Sequence, residues 1–243
     1  MIRIHNTPNF AGVHITGDYW DFDELYEAGH HVIRSHEEDD GYGQPRRRIL
    51  WLFSEMRQAQ LGNRGIEAVP NGFTKDENLL LPMASKETNM YLRFEALWPE
   101  ILFAAFALND FIGHFTDSEG VHNWNPSVAA VRKFQSAVAR CLEDTLSPNR
   151  YRQLRKYIDP HGLFAKTKYQ NYLVQYIDRL NIQFLRLPPE RRSENISIMA
   201  KRICELDSLY YNFRSDFIDL AEGLQVHVSK LRYKGDYPDD IEW

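Results

Sequence analysis

Phe94–Phe115, FEALWPEILFAAFALNDFIGHF, is the most apolar run of the chain, and its reading decides the fold. Proline suits the first turn of a helix and pushes the residue before it out of helical geometry, so Trp98-Pro99 predicts a helix starting at Pro99. From Ile101 to Leu108 every position is apolar. A helix with no polar side is enclosed by other elements, not laid along one of them. Pro99, Glu100, Asn109 and Asp110 interrupt the run before it reaches the roughly 20 residues that span a bilayer, which excludes a transmembrane helix. The expectation is a buried helix over 99–115.

Working outward, NMYLRFEA alternates and places Met90, Leu92, Phe94 and Ala96 on one face, the pattern of a central strand. MIRI and GVHITGD alternate likewise, with Ile2, Ile4, Val13 and Ile15 facing inward, and IEAV before the turn PNG is a further strand. DFDELYEAGHHVIRS reads as a helix capped by Asp21 with Glu24 three residues on. RRRILWLFSEMRQAQLGN is a second, amphipathic helix stopped by Gly62. Asn125-Pro126 and Ser147-Pro148 open helices over 126–144 and 148–158. Tyr169, Leu173, Tyr176, Leu180, Phe184 and Leu187 then step by four and three. After Pro188-Pro189 so do Ile196, Met199, Ile203, Leu206, Tyr210, Phe213, Phe217 and Leu220. This period predicts a long antiparallel helical hairpin whose second arm is about 45 Å long at 1.5 Å per residue. LQVHVSKLRY, after Gly223, alternates well enough for a late strand or a continued helix over 224–233, the strand being preferred.

The fold class is therefore α+β and helix-rich, with a small, mainly antiparallel sheet packed by helices and a C-terminal hairpin. Its expected organisation is an α+β domain over 1–145, a helical subdomain over 146–235 and an acidic tail over 236–243. The 243 residues are 43% hydrophobic and 13% aromatic, enough for a full core. The net charge of −5 conceals an imbalance: 13 Lys and Arg against 21 Asp and Glu up to Asp144, then 16 against 9 from Thr145 to Gly235. Such halves dock on each other, or the basic one meets an acidic partner. Cys141 and Cys204 fall among apolar helical positions and read as buried thiols. MIRIHNTPNF lacks the pattern of an export signal, so the expected location is cytoplasmic.

HNTPNFAGVHITGDYWDFDELYEA, FEALWPEILFAAFALNDFI and VRKFQSAVARCLEDTLS together resemble an uncharacterised family of bacterial proteins, a domain of unknown function. The resemblance covers about residues 1–150, with the hairpin as an extension. It implies a cytosolic bacterial protein and brings no activity or catalytic residue with it.

Three groups of residues carry candidate chemistry. Asn109, Asp110 and His114 sit on the greasiest segment, and residues four apart share a helix face, so Asp110 can orient His114 as an acid-base pair. The same residues serve equally as a buried network that ties helices together. On the outward face of the sheet, Arg3, His5, His14, Arg93 and Glu95, with Thr16 and Tyr91, could recognise an anion. A sheet with one wet face produces that pattern without any ligand. His30, His31 and His36 with Glu37–Asp40, and the acids of DYWDFDE, match no metal-site spacing and read as solvated helix ends and caps. No metal site and no cofactor are expected. Phosphate-loop, dinucleotide, nucleophile-elbow and HExxH motifs are absent from the sequence, which removes the commoner motif-bearing enzymes.

The first functional expectation is accordingly a non-enzymatic interaction protein, a complex subunit or regulator. It would use the Tyr- and Phe-rich hairpin seam, flanked by Arg179, Arg186, Arg191, Arg192, Arg202 and Arg214, for a protein partner or self-association. An enzyme using Asp110 and His114 is the alternative. Nucleic-acid binding through the basic half ranks last, and no membrane partner is expected.

Overall fold

The computed structural model describes residues 1–34, 42–72, 88–158 and 171–243. Four strands, β1 (Arg3–Asn6), β2 (Gly12–Gly17), β3 (Gly65–Pro70) and β4 (Thr88–Leu97), form one antiparallel sheet in the order β1-β2-β4-β3. Alternation sets its inner face: Ile4, Val13, Ile15, Phe94 and Ala96 are all buried. Met90 belongs to that face by periodicity but lies where β3 and β4 run past the core, and it is exposed.

Among the described residues there are eight α-helices: α1 (Tyr19–Arg34), α2 (Gly43–Gln60), α3 (Trp98–Glu119), α4 (Pro126–Thr145), α5 (Pro148–Ile158), α6 (Asn171–Leu185), α7 (Pro189–Glu205) and α8 (Ser208–Gly223). The α+β class and the helix-rich balance hold. Helix α3 is the centre of the molecule. It leaves β4 without a loop, Pro99 stands in its first turn, and every residue from Trp98 to Ile112 is buried. Around it lie α1, α2, α4, α5, α6 and α7, with β2 and β4 beyond its start. Trp98 fixes that start: its indole N–H donates to Asn6 Oδ1 at 3.1 Å, while Asn6 Nδ2 donates to Thr145 Oγ1 at 2.7 Å. One side chain thus ties β1 to the beginning of α3 and the end of α4. The expected buried span is too long at its end, because the last turns of α3 reach the surface and His114 is exposed.

The N-cap of α1 is Asp18, not Asp21. Asp18 Oδ1 accepts from Asp21 N–H at 2.8 Å and Asp21 Oδ2 accepts from Asp18 N–H at 3.1 Å, so the reciprocal cap sits three residues earlier than expected. The acid-x-x-acid signal occurs twice in DYWDFDE, and the first copy forms the cap. The hairpin is corrected as well. Its second arm is two helices, α7 and α8, separated by Leu206 in the left-handed region (φ 48°). Asp207 then caps α8, its Oδ1 accepting from Leu209 N–H at 3.1 Å. Apolar residues stepping by three and four run on across such a break, which hides it from periodicity. Part of the first arm, including Tyr169, lies outside the described residues.

Residues 224–233 do not form a strand. They hold one 3-10 turn, Val228–Lys230, and then an irregular strap. Leu231 and Tyr233 of that strap pack on the core, so one-sided contact produces the alternation without a sheet neighbour. The strap continues along α6, where Tyr233 N–H donates to Gln175 Oε1 at 2.7 Å. Gly235 allows close approach: a Cβ there would lie 2.3 Å from Ile182 Cδ1.

Cys141 and Cys204 are both free and buried. Burial pushes the Cys141 thiol up to about 11 and raises Cys204 well above its ordinary value. No helix among the described residues is long and apolar enough to cross a membrane.

Because every residue of α3 from Trp98 to Ile112 is buried, emptying its middle leaves a cavity. Phe106→Ala is expected to lower the unfolding free energy in urea by about 3–5 kcal/mol. A loss under about 1 kcal/mol would place Phe106 in a site that collapses freely.

Candidate functional site

Two clefts flank the two ends of α3. The larger, about 590 Å³, lies between α2, the β4–α3 junction, α6 and the C-terminal strap. Its floor is charged. Glu100, in the first turn of α3, is buried and accepts from Arg48 Nε at 2.7 Å and from Arg48 Nη2 at 2.5 Å. The same Nη2 reaches Asp178 Oδ1 at 2.9 Å, and Nη1 donates to the Val174 carbonyl at 2.9 Å. Burial by itself would lower the Arg48 pKa. The ion pairs and hydrogen bonds with Glu100 and Asp178 outweigh it and hold the guanidinium above its usual range. Asn181 Nδ2 donates to Glu100 Oε2 at 3.2 Å and to the Tyr237 hydroxyl at 3.3 Å, and that hydroxyl donates to Asp178 Oδ1 at 3.1 Å. Burial raises Tyr237 to about 12, with Asp178 adding to the rise, so it stays protonated as a donor. One atom of this network is left over: Asn181 Oδ1 is buried and accepts from no donor among the described residues.

The walls of this cleft are apolar and aromatic, formed by Trp51, Leu97, Tyr233, Tyr237, Ile241 and Trp243. The expected acidic tail is thus part of the cleft. It is held at its far end by Arg192, whose Nη1 donates to the Glu242 carbonyl at 3.1 Å, and by Asn9 N–H, which donates to the Trp243 carbonyl at 3.2 Å. At the rim, Arg47 and Trp51 stand one turn apart on α2 and are both exposed.

The second cleft, about 370 Å³, opens between the end of α3 and the start of α4 and contains Asn109, Asp110 and His114 in its lining. The structure therefore brings all three candidate residues to one opening, in different settings. Asn109 Oδ1 accepts from Arg132 Nη1 and, at 3.0 Å, from Gln135 Nε2. Asp110 is buried, whereas His114 is exposed and sets its ring edge-on to Tyr42 at 4.8 Å.

On the outer face of the sheet, register places His5, His14 and Glu95 in one row and Arg3, Thr16 and Arg93 in the next. Glu95 Oε1 lies 3.2 Å from His14 Nδ1 and 3.3 Å from Arg93 Nε, so its charge faces the Arg93 guanidinium and the His14 ring. Arg3 stacks over Tyr91 at 5.4 Å, His5 is exposed, and Thr16 is buried. Of this set only Glu95 reaches the larger cleft. Elsewhere, the Tyr157 hydroxyl and Lys156 Nζ both donate to Glu205, the latter at 2.9 Å, which clamps α5 to α7. His36 and Glu37–Asp40 lie outside the described residues. Among the described residues, no group of three or more His, Cys, Asp or Glu side chains is placed to hold a metal ion.

A family model matches residues 2–243. The chain belongs to the family described as Domain of unknown function (DUF6904). The match takes in the C-terminal helices and the strap, so it extends well beyond the first 150 residues that carried the resemblance. Comparison with curated proteins and with solved structures gives no match. Both clefts of this DUF6904 chain are lined by residues within the family match.

The sequence reading missed Arg48, Asp178, Asn181 and Arg132 as site residues. One signal was present: an acid in the first turn of an otherwise apolar helix requires a cation from another element. Arg46, Arg47 and Arg48 are the nearest such run, and successive helical residues point about 100° apart, so no single face holds all three. Arg46 turns into the core and donates from Nε to the Ile33 carbonyl at 3.1 Å, Arg47 faces outward, and Arg48 finds Glu100.

Removing Glu100 leaves Arg48 buried with Asp178 as its remaining acid. Glu100→Ala is expected to cost about 3 kcal/mol in urea unfolding, the low end for a broken buried pair because Asp178 stays. A cost near zero would show the pair to be solvated.

Proposed function

We propose that this chain is a non-enzymatic, cytosolic bacterial protein, a subunit or regulator of a complex, that holds a partner protein at the α2–α6 cleft. The interior charges of the cleft are already paired with one another, an arrangement suited to fixing shape and not to moving protons. Asn181 Oδ1 carries the reading. A buried acceptor with no donor among the described residues is costly, and Asn181 lines the same cleft as Trp51, where a partner with an N–H or O–H group would sit. Trp and Arg, which stand together on the rim, are the residue types that dominate binding energy at protein interfaces.

Light scattering after size exclusion at several concentrations, together with affinity capture, tests this reading. The wild-type chain is expected to self-associate or retain a defined partner. Trp51→Asp is expected to lose that association with its melting temperature preserved, since Trp51 is 56% exposed. A strict monomer that retains nothing, or a partner indifferent to Trp51→Asp, contradicts it.

A second reading, an enzyme using Asp110 and His114 as acid and base, is supported by one observation: both line the α3–α4 cleft. On this reading Asp110→Asn keeps the fold, seen by circular dichroism, and removes the turnover that the wild-type chain shows in a panel of hydrolase and isomerase substrates. Turnover that survives the substitution rules it out.

A further inference from the structure

The α3–α4 cleft is separate from the one on which the proposed function rests, and it holds two features that packing does not require. The first is Arg132. Its Nη1 donates to Asn109 Oδ1 and, at 2.8 Å, to Gln135 Oε1. Gln135 Nε2 donates in turn to the Ala105 carbonyl at 2.6 Å and to Asn109 Oδ1 at 3.0 Å, so the acceptors that orient the guanidinium are themselves anchored to α3. These acceptors are neutral amides. Among the described residues no carboxylate pairs with Arg132 and no hydrogen bond from its Nε or Nη2 is formed. Burial lowers its pKa. A half-buried guanidinium fixed by one nitrogen, with its remaining donors unused at a cleft, is the arrangement that receives a carboxylate.

The second feature is Gly113. It sits inside α3 with no positive φ, and a Cβ built there would meet nothing within 4 Å. Glycine in a helix interior is less favourable than alanine, and neither backbone geometry nor close approach accounts for it here. What it supplies is empty space in the cleft wall.

The rest of the α3 wall carries two acids, Asp110 and Asp117, alongside Ile112, His114 and Thr116. Asp110, His114 and Asp117 follow one another by four and three and so share a face, and all three line the cleft with Arg132 opposite on α4. Carboxylates repel a simple anion but suit a ligand that also carries a cation. The volume, about 370 Å³, is at the small end of ligand sites. We propose that this cleft binds a small zwitterion of the amino-acid class, its carboxylate on Arg132 and its ammonium group toward Asp117, the exposed acid of the α3 wall.

Titration calorimetry and thermal-shift measurements on the full chain test it, with the twenty common amino acids as probes and acetate and methylammonium as half-ligands. At least one amino acid is expected to bind saturably and raise Tm, with both half-ligands far weaker. Arg132→Gln is expected to weaken that binding by about tenfold or more, since a charge-assisted pair is lost. Gly113→Leu fills the cleft from a position with free space, so it is expected to abolish binding with Tm unchanged or higher. The last variant decides the matter if Arg132→Gln fails to fold. The assignment is overturned if no amino acid binds, if binding survives Gly113→Leu, or if acetate binds as well as the best amino acid. Failure here leaves the α2–α6 reading untouched, because that one is scored by partner retention in the Trp51 variant.

Discussion

A helix that water cannot reach tolerates a polar side chain only where another element brings the matching group. Helix α3 imposes that condition on the whole chain. Glu100 at one end draws Arg48 from α2 and, through it, Asp178 from α6. Asn109 toward the other end draws Arg132 and Gln135 from α4. Between them the helix is hydrocarbon, and hydrophobic burial without direction would leave its neighbours free to rotate or slide. The polar groups remove that freedom, because an unpaired buried charge costs far more than one imperfect contact.

The same condition explains where the openings fall. The apolar middle of α3 is buried throughout, and a cleft opens at each end, where the polar side chains stand. At the Glu100 end the charges cancel internally and the walls are aromatic, which favours shape and apolar contact. At the Asn109 end the Arg132 guanidinium is held, among the described residues, by amide oxygens, with Asp117 on the facing wall, which favours a ligand with two charges. The strap over residues 231–243 completes only the first of these, with Tyr237 joining it to Asp178 and Asn181.

Much of the fold was legible because local chemistry and global packing agree. Strands β1, β2 and β4 announced themselves by alternation, Pro99, Pro126 and Pro148 stand in the first turns of their helices, and the run after Trp98 read as enclosed because it had no polar side. What escaped had no local signature. One left-handed residue at Leu206 divides a seam whose period continues across it, and a strap packed on one side alternates like a strand. For the sites, Asn109, Asp110 and His114 stood out as polar residues on a greasy segment, and they do share a cleft. Arg48, Asp178, Asn181 and Tyr237 did not, because they come from three segments far apart in the chain and look individually like ordinary surface residues of amphipathic helices and a tail.

Native-state hydrogen exchange tests the central claim most directly. If α3 is enclosed by the rest of the molecule, the amides from Leu102 to Ile112 exchange only through global unfolding. They are then the slowest in the protein, and their opening free energy equals that from urea denaturation. Exchange of those amides through local opening, as early as in the exposed turns of α8, would mean that water reaches the middle of the helix and would contradict the account.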